Sequence, residues 1–444
     1  MALRRFLYPA GALVATLALL PLLLRPEWGI AAVLAAALVF LAWQAVVYPL
    51  VLIGLVPVLI ALLGSNPLPQ GMLTMLLAGW IVMAIAFALV KGSALPFAVL
   101  RATPVVLSLG LGVFLLARLD ASHVTGYGTD KVQLFLAQNL LLLVAGIIVG
   151  RTRRHVDLFL ALTLVVAVAS AAVLIDKFVG GHAQQVLPAR FALSPEQNPI
   201  FLGRKSADGV IIAIYLLVGS VAALPYRIFA LASLPALAIA LIAAGSRGPV
   251  LGLLLGVAAL LALLVRSRAS RRRIPLLVIS VVLAVVAIGL VVPHDATQRS
   301  LSILSDAGSG VSSNGRSQLW SLAFEQFAAH PLQGVGTGGF AAVAPVELYP
   351  HNILLEGAAE LGVAGLLLLL GVMVSAFSRL LGAWRRASDD LRPVIAVVLA
   401  LLVASIANSL LSGDITVNNS LWLFAGLGVG LASVTVRDEH IDLR

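Results

Sequence analysis

The chain has 444 residues, 61% of them hydrophobic and only 11% charged, with a formal net charge of +10. Ordinary soluble domains are about 25% charged, so a chain of mean hydropathy +1.08 is excluded from the soluble class and reads as an all-α, polytopic membrane bundle. The absence of cysteine excludes disulfides, Cys-ligated metals and thiol nucleophiles.

A membrane span needs about 20 predominantly apolar residues. Met1-Ala2-Leu3-Arg4-Arg5 and the apolar run after it resemble a signal peptide. No polar mature chain follows, so 6–24 reads as an uncleaved first span. Further candidates lie at 29–45, 48–64, 71–90, 94–117, 134–150, 156–175, 207–224, 228–244, 250–265, 274–292, 352–375, 393–411 and 418–436. The bundle therefore has about 12–14 helices, the fifth candidate being interrupted by Arg101 and Pro104.

Orientation follows from Lys and Arg. With both termini cytoplasmic, 19 of the 29 basic residues fall inside. The dense runs 266–273 and 379–392 are adequately explained as contacts with anionic lipid. Three polar intervals then lie outside, 118–133, 176–206 and 293–350. The chain divides into helices and outer loops over 1–292, a large partly helical loop over 293–350, and helices with a tail over 351–444. All the long loops share one face. An enzyme working at the outer surface requires that, and a transporter with a midplane site does not.

Within the large loop, Gly308–Gly315 is Gly- and Ser-rich and reads as irregular. Leu319, Trp320, Ala323, Phe324 and Phe327 then recur at 3/4 spacing, which predicts an amphipathic helix over 317–329. Ser313 or Asn314 is its expected cap, and His330-Pro331 stops it. Arg316 falls in its first turn.

Several residues could carry chemistry. Gly245-Ser246-Arg247-Gly248-Pro249 is a tight outer turn, where an arginine is expensive unless it meets an anion. Arg247 either snorkels to headgroups or forks a lipid-linked phosphate bidentately, and Arg316 has the same two readings. Arg190, Arg204 and Lys205, in the second outer interval, make that face attractive to an anionic lipid. None of the seven histidines shows a metal-ligand spacing. His351 stands out by placement, at the outer end of a span after Pro350, where a neutral imidazole can accept a hydroxyl proton. A structural role for it also stands. Glu356 and Glu360, four apart on an apolar helix, repel slightly; they either hold a nearby arginine or bind substrate.

At this point the residues resemble a known family. His351-Asn352, nine residues, then Gly362-Val363-Ala364-Gly365 resembles the H-[N/S/Q]-x9-G-x-x-G pattern of the O-antigen ligase superfamily. His330-Pro331-Leu332-Gln333-Gly334-Val335-Gly336-Thr337-Gly338, Gly315-Arg316 with Leu319-Trp320, and Ser246-Arg247-Gly248 are similar to its other segments. The set covers roughly 246–365; elsewhere only topology agrees.

The resemblance implies a C-type helical membrane glycosyltransferase at the periplasmic face of the inner membrane, inverting, metal-independent and without a cofactor. Its donor would be an undecaprenyl-diphosphate-linked glycan and its acceptor lipid A–core, within membrane lipid and with no nucleic-acid partner. Arg247 and Arg316 would bind the donor pyrophosphate and His351 would be catalytic. Arg190, Arg204, Lys205, His330, Tyr349, Asn352 and Glu356 are candidates for supporting roles. A polymerase or a protein-glycosylating relative shares this chemistry with another acceptor. A transporter of lipid-linked glycan calls for mid-span charge, of which the candidate spans carry little.

Overall fold

The structure, a computed structural model, describes residues 37–63, 70–91, 97–119, 125–219, 223–264, 272–306, 316–344 and 347–442. The expected span at 6–24, residues 29–36 of the one expected at 29–45, and the run 308–315 with its expected caps lie outside the described residues.

Every candidate span from 48–64 onward corresponds to helix. In chain order these are α1 (Val47–Leu63), α2 (Gln70–Val90), α3 (Thr103–Ala117), α4 (Thr125–Leu134), a π-helical turn (Phe135–Asn139), α5 (Leu140–Gly150) and α6 (Arg153–Val179). A hairpin of β1 (Gln185–Leu187) and β2 (Arg190–Phe191) follows, then α7 (Pro199–Val218), α8 (Leu224–Ala243), α9 (Arg247–Leu264) and α10 (Ile274–Val291). The chain continues with α11 (His294–Asp306), α12 (Arg316–Ala329), α13 (Ile353–Arg386), α14 (Arg392–Ser409) and α15 (Asn419–Asp442). Seven described helical stretches are long and apolar enough to cross a bilayer alone. Others, such as Thr103–Ala117, are apolar but shorter, and α7 carries Arg204, Lys205 and Asp208.

Small residues set the helix spacing, as expected where lipid competes for apolar contact. Gly146 and Gly150 on α5 meet Gly426 and Gly430 on α15; a Cβ on Gly150 would stand 3.0 Å from the Gly430 Cα. α14 is the most deeply buried of the seven long apolar helices, whereas α10 is almost wholly exposed along its Val and Leu side chains, a surface suited to lipid.

The fifth span is interrupted where the sequence placed the break: it is two pieces, Phe97–Leu100 and Thr103–Ala117, parted at Arg101-Ala102, with Pro104 in the first turn of the second piece, where its missing N–H costs nothing. Two expectations are corrected. The interval 118–133 is no simple loop: from Thr125 it is helix running on into α5. Lys131 is buried there, whereas Asp130 and Gln133 are exposed. The large loop holds the expected helix, as α12, and an unexpected one, α11, whose Ala296 and Ser300 are buried, the latter donating to the Ile242 carbonyl at 2.8 Å.

The motif around Gly362 is a helix break. Gly362 sits at φ 66, ψ −158 inside α13, a region essentially reserved for glycine. The interruption frees carbonyls, and the 330–338 segment satisfies them. Val335 N donates to Ala359 O at 3.0 Å and Gly336 N to Glu360 O at 2.9 Å, while Val363 N donates back to Pro331 O at 2.7 Å. A Cβ on Gly362 would lie 2.6 Å from the Leu332 carbonyl. Gly362→Ala is therefore expected to cost at least ~1–3 kcal/mol of stability, read as a lowered unfolding temperature of the detergent-purified protein.

Candidate functional site

The ends of α6, α8, α10 and α14, the starts of α7, α9, α13 and α15, and helices α11 and α12 meet at one end of the bundle. There the β-hairpin is seated on the α8–α9 turn. Gly245, at φ 59, faces the Ala189 carbonyl, and its missing Cβ would lie 2.8 Å from Arg190 Cγ. That contact carries Arg190 to Arg247, the first residue of α9.

Four arginines then share one field. Burial, then the charges of Arg299, Arg316 and Arg247, pushes the Arg190 guanidinium down to about 10. Arg316 is lowered by burial, Arg247 and Arg299, against an opposing pull from Glu347. Arg299 is lowered by burial and Arg247. The Arg190 Nε is buried with no hydrogen-bond partner. A group of guanidinia with one exposed carboxylate nearby is self-repulsive, and a di- or polyanion relieves it. Guanidinium forks match phosphate oxygens bidentately.

His351 sits against this group. Its φ is 58, a left-handed backbone that costs a non-glycine residue about 1–2 kcal/mol. Asn352 fixes the following helix, its side chain accepting from Leu354 N at 3.0 Å and Leu355 N at 3.2 Å. Trp320 of α12 donates from Nε1 to the Pro350 carbonyl at 3.0 Å, which ties the Arg316 helix to the His351 turn. The Tyr349 ring meets the imidazole edge-on at 4.7 Å. His351 Nε2 faces Glu347 Oε2 at 3.5 Å, and Nδ1 is buried without a partner. Burial and Arg316 hold the imidazole below its ordinary pKa, opposed by Glu347, with Arg190 adding to the depression. Assigning the proton to Nε2, toward the carboxylate, leaves the Nδ1 lone pair inside the site.

Below His351 lies a buried charge network. Lys131 Nζ donates to Glu356 Oε1 at 2.6 Å and to both Glu360 oxygens at 2.7 and 2.8 Å, and all three side chains are fully buried. Ile415 N donates to Glu356 and Gly338 N to Glu360, each at 2.9 Å. Tyr127 Oη donates to Asp414 at 2.9 Å, and its ring lies beneath Lys131. The two glutamates thus hold a lysine, where the sequence pointed to an arginine or to substrate.

The remaining candidates fall behind the site. Arg204 is buried in α7 and donates to the Ser412 carbonyl at 3.0 Å, bracing the α14–α15 turn. Lys205 is half-buried beside it, and His330 is exposed in the turn after α12. Asn352 serves as a helix cap. Sequence reasoning missed Arg299, Glu347 and Lys131. Arg299 had a signal in the alternating polar and apolar face of α11, and Glu347 in its place four residues before His351.

Residues 231–370 match the family model described as O-antigen ligase. A search of the curated proteins finds no match. The matched stretch contains the Arg247 turn, α11, α12, His351 and the Gly362 break, so over residues 231–370 this multi-pass helical membrane protein is similar to the O-antigen ligase family, consistent with the ligase/polymerase superfamily.

Proposed function

We propose that the chain is an O-antigen ligase, moving a glycan from undecaprenyl diphosphate to a sugar hydroxyl of lipid A–core at the periplasmic face of the inner membrane. The observation that carries this reading is the convergence of Arg190, Arg247, Arg299 and Arg316 on a strained His351. The domain match supports the superfamily's chemistry, and the lipid-exposed bundle supports a donor that arrives through the membrane.

The step is a single displacement. His351 accepts the proton of the acceptor hydroxyl, whose oxygen attacks the anomeric carbon in line. The bond from that carbon to the diphosphate oxygen breaks, and its electron pair leaves on the diphosphate. The arginines neutralise that developing charge, and such preorganised charge is commonly the largest catalytic term. Attack opposite the leaving group inverts the anomeric centre. The imidazolium then returns its proton to water.

The test is a strain lacking the gene, complemented with wild type or with Arg247→Lys, Arg299→Lys or Arg316→Lys. Loss of function should leave polymer on its carrier and lipid A–core uncapped, and each lysine variant should restore little, since a point charge does not reproduce the fork. Core bearing a single repeat unit would assign polymerisation instead. Full capping by the lysine variants would overturn the pyrophosphate role.

A further inference from the structure

At the end of the bundle opposite the arginines, helices α2, α5 and α6 and the segment around Trp43 enclose a cavity of about 330 Å³. Its polar lining is Trp43, Gln44, Lys91, Arg151, Thr152 and His155, with no carboxylate among the lining residues. Asp157, two residues after His155, and Asp390 both pair with Arg153. Lys91 is held in place, its ammonium donating to the Trp43 carbonyl and standing 4.2 Å from the Trp43 ring centre. Thr152 begins α6 with extended backbone (φ −136, ψ 113) and no side-chain cap bond. The first N–H groups of a helix carry partial positive charge, so the wall formed by Thr152 and His155 adds to the cationic character.

The setting indicates what such a cavity takes. Leu89 and Val90 at the same end of α2 are 44% and 52% exposed, an apolar surface suited to lipid chains. Tryptophan rings favour the membrane–water interface. The volume lies within the range of small-ligand sites, about 300–1,000 Å³, which accommodates a phosphodiester with its glycerol but not a sugar chain.

We propose that this cavity binds the phosphate of an anionic phospholipid headgroup. Lys91 and Arg151 supply the charge, and Thr152 and His155 supply hydrogen bonds. It is a second anion site, separate from the arginine cluster and independent of the transfer reaction. Like-charged groups gathered around a cavity gain from such an occupant, and a juxtamembrane cation attracts anionic lipid at about 1 kcal/mol each, close to five-fold in affinity.

The experiment is native mass spectrometry of the full chain in detergent, titrated with phosphatidylglycerol, phosphatidylcholine or inorganic phosphate. Wild type is expected to retain phosphatidylglycerol and not phosphatidylcholine. Lys91→Gln with Arg151→Gln is expected to weaken retention by about 25-fold, five-fold per charge. Arg385→Gln with Arg386→Gln, removing two charges from the run that meets anionic lipid diffusely at the far end of α13, is expected to leave the tightly retained molecule in place. Displacement of the lipid by millimolar phosphate supports the phosphate chemistry and identifies a free anion as a competing source. Equal retention of the two lipids by wild type overturns the proposal, a result that needs no variant to fold. Equal loss in both double variants overturns it too, by assigning the binding to diffuse surface charge.

Discussion

Replacing His351 with glycine is expected to abolish glycan transfer while leaving the protein as stable as wild type or slightly more so. General-base assistance is typically worth about 10²–10⁴-fold. The backbone argument runs the other way. At φ 58 a histidine is strained by about 1–2 kcal/mol, and glycine is not. A merely structural histidine, wedged between Tyr349 and Glu347, would lower the unfolding temperature when removed. His351→Ala should lose transfer to the same degree without the relief. The pH profile gives an independent reading. Because burial and Arg316 depress the imidazole pKa, the acid limb of transfer rate against pH should lie below about 6.5, the ordinary histidine value. Arg316→Gln removes a depressing charge, so the limb should move to higher pH, whatever happens to the maximal rate. Wild-type transfer by His351→Gly, or a limb that stays put in Arg316→Gln, would remove His351 from the base role.

The parts of this arrangement that the sequence made legible are those with a local signature. Apolar runs marked the helices, 3/4 spacing marked α12, and the motif set brought Arg247, Arg316 and His351 into one site. What it hid was every pairing set by tertiary approach. Lys131 meets Glu356 across 225 residues, and no periodicity in either stretch announces the other. In a polar interval a lysine looks solvated, so its burial was invisible until α4 and α13 were side by side. Arg204 was legible as an outer cation, but the carbonyl of Ser412, which carries no side-chain signature, turns it into a brace. The motif glycines were legible as a pattern only. Their physical meaning, a broken helix whose freed carbonyls are taken up by 335–336, needs the two strands of chain in contact. Candidate residues gathered from loops on one face were thus easier to find than the buried charges beneath them.

That hidden network carries the second large effect. Lys131→Met is expected to destabilise the protein by about 3–5 kcal/mol, the usual result of removing one partner from a buried ion pair. Glu356 and Glu360 would be left facing one another with no exposed surface, and neither Ile415 N nor Gly338 N can supply a compensating positive charge. The consequence reaches function through geometry. Glu356 lies in the first turn of α13, directly after the Asn352 cap and His351, while Glu360 clamps Gly338 at 2.9 Å. Losing the lysine should therefore loosen both the His351 turn and the glycine-rich segment docked on the helix break. Restoring neutrality separates charge from shape. Lys131→Met combined with Glu356→Gln and Glu360→Gln should recover most of the stability, because a neutral buried cluster avoids the desolvation that an unpaired charge suffers. The singles and the triple will be strongly non-additive, as groups in direct contact are. Unfolding temperature and monodisperse yield in detergent report the stability, and transfer should return with it, since none of the three side chains hydrogen-bonds to His351. A Lys131→Met protein as stable as wild type would show that the network does not anchor the site. A triple variant that is stable but inactive would instead make its charge part of the reaction, which the present geometry does not require.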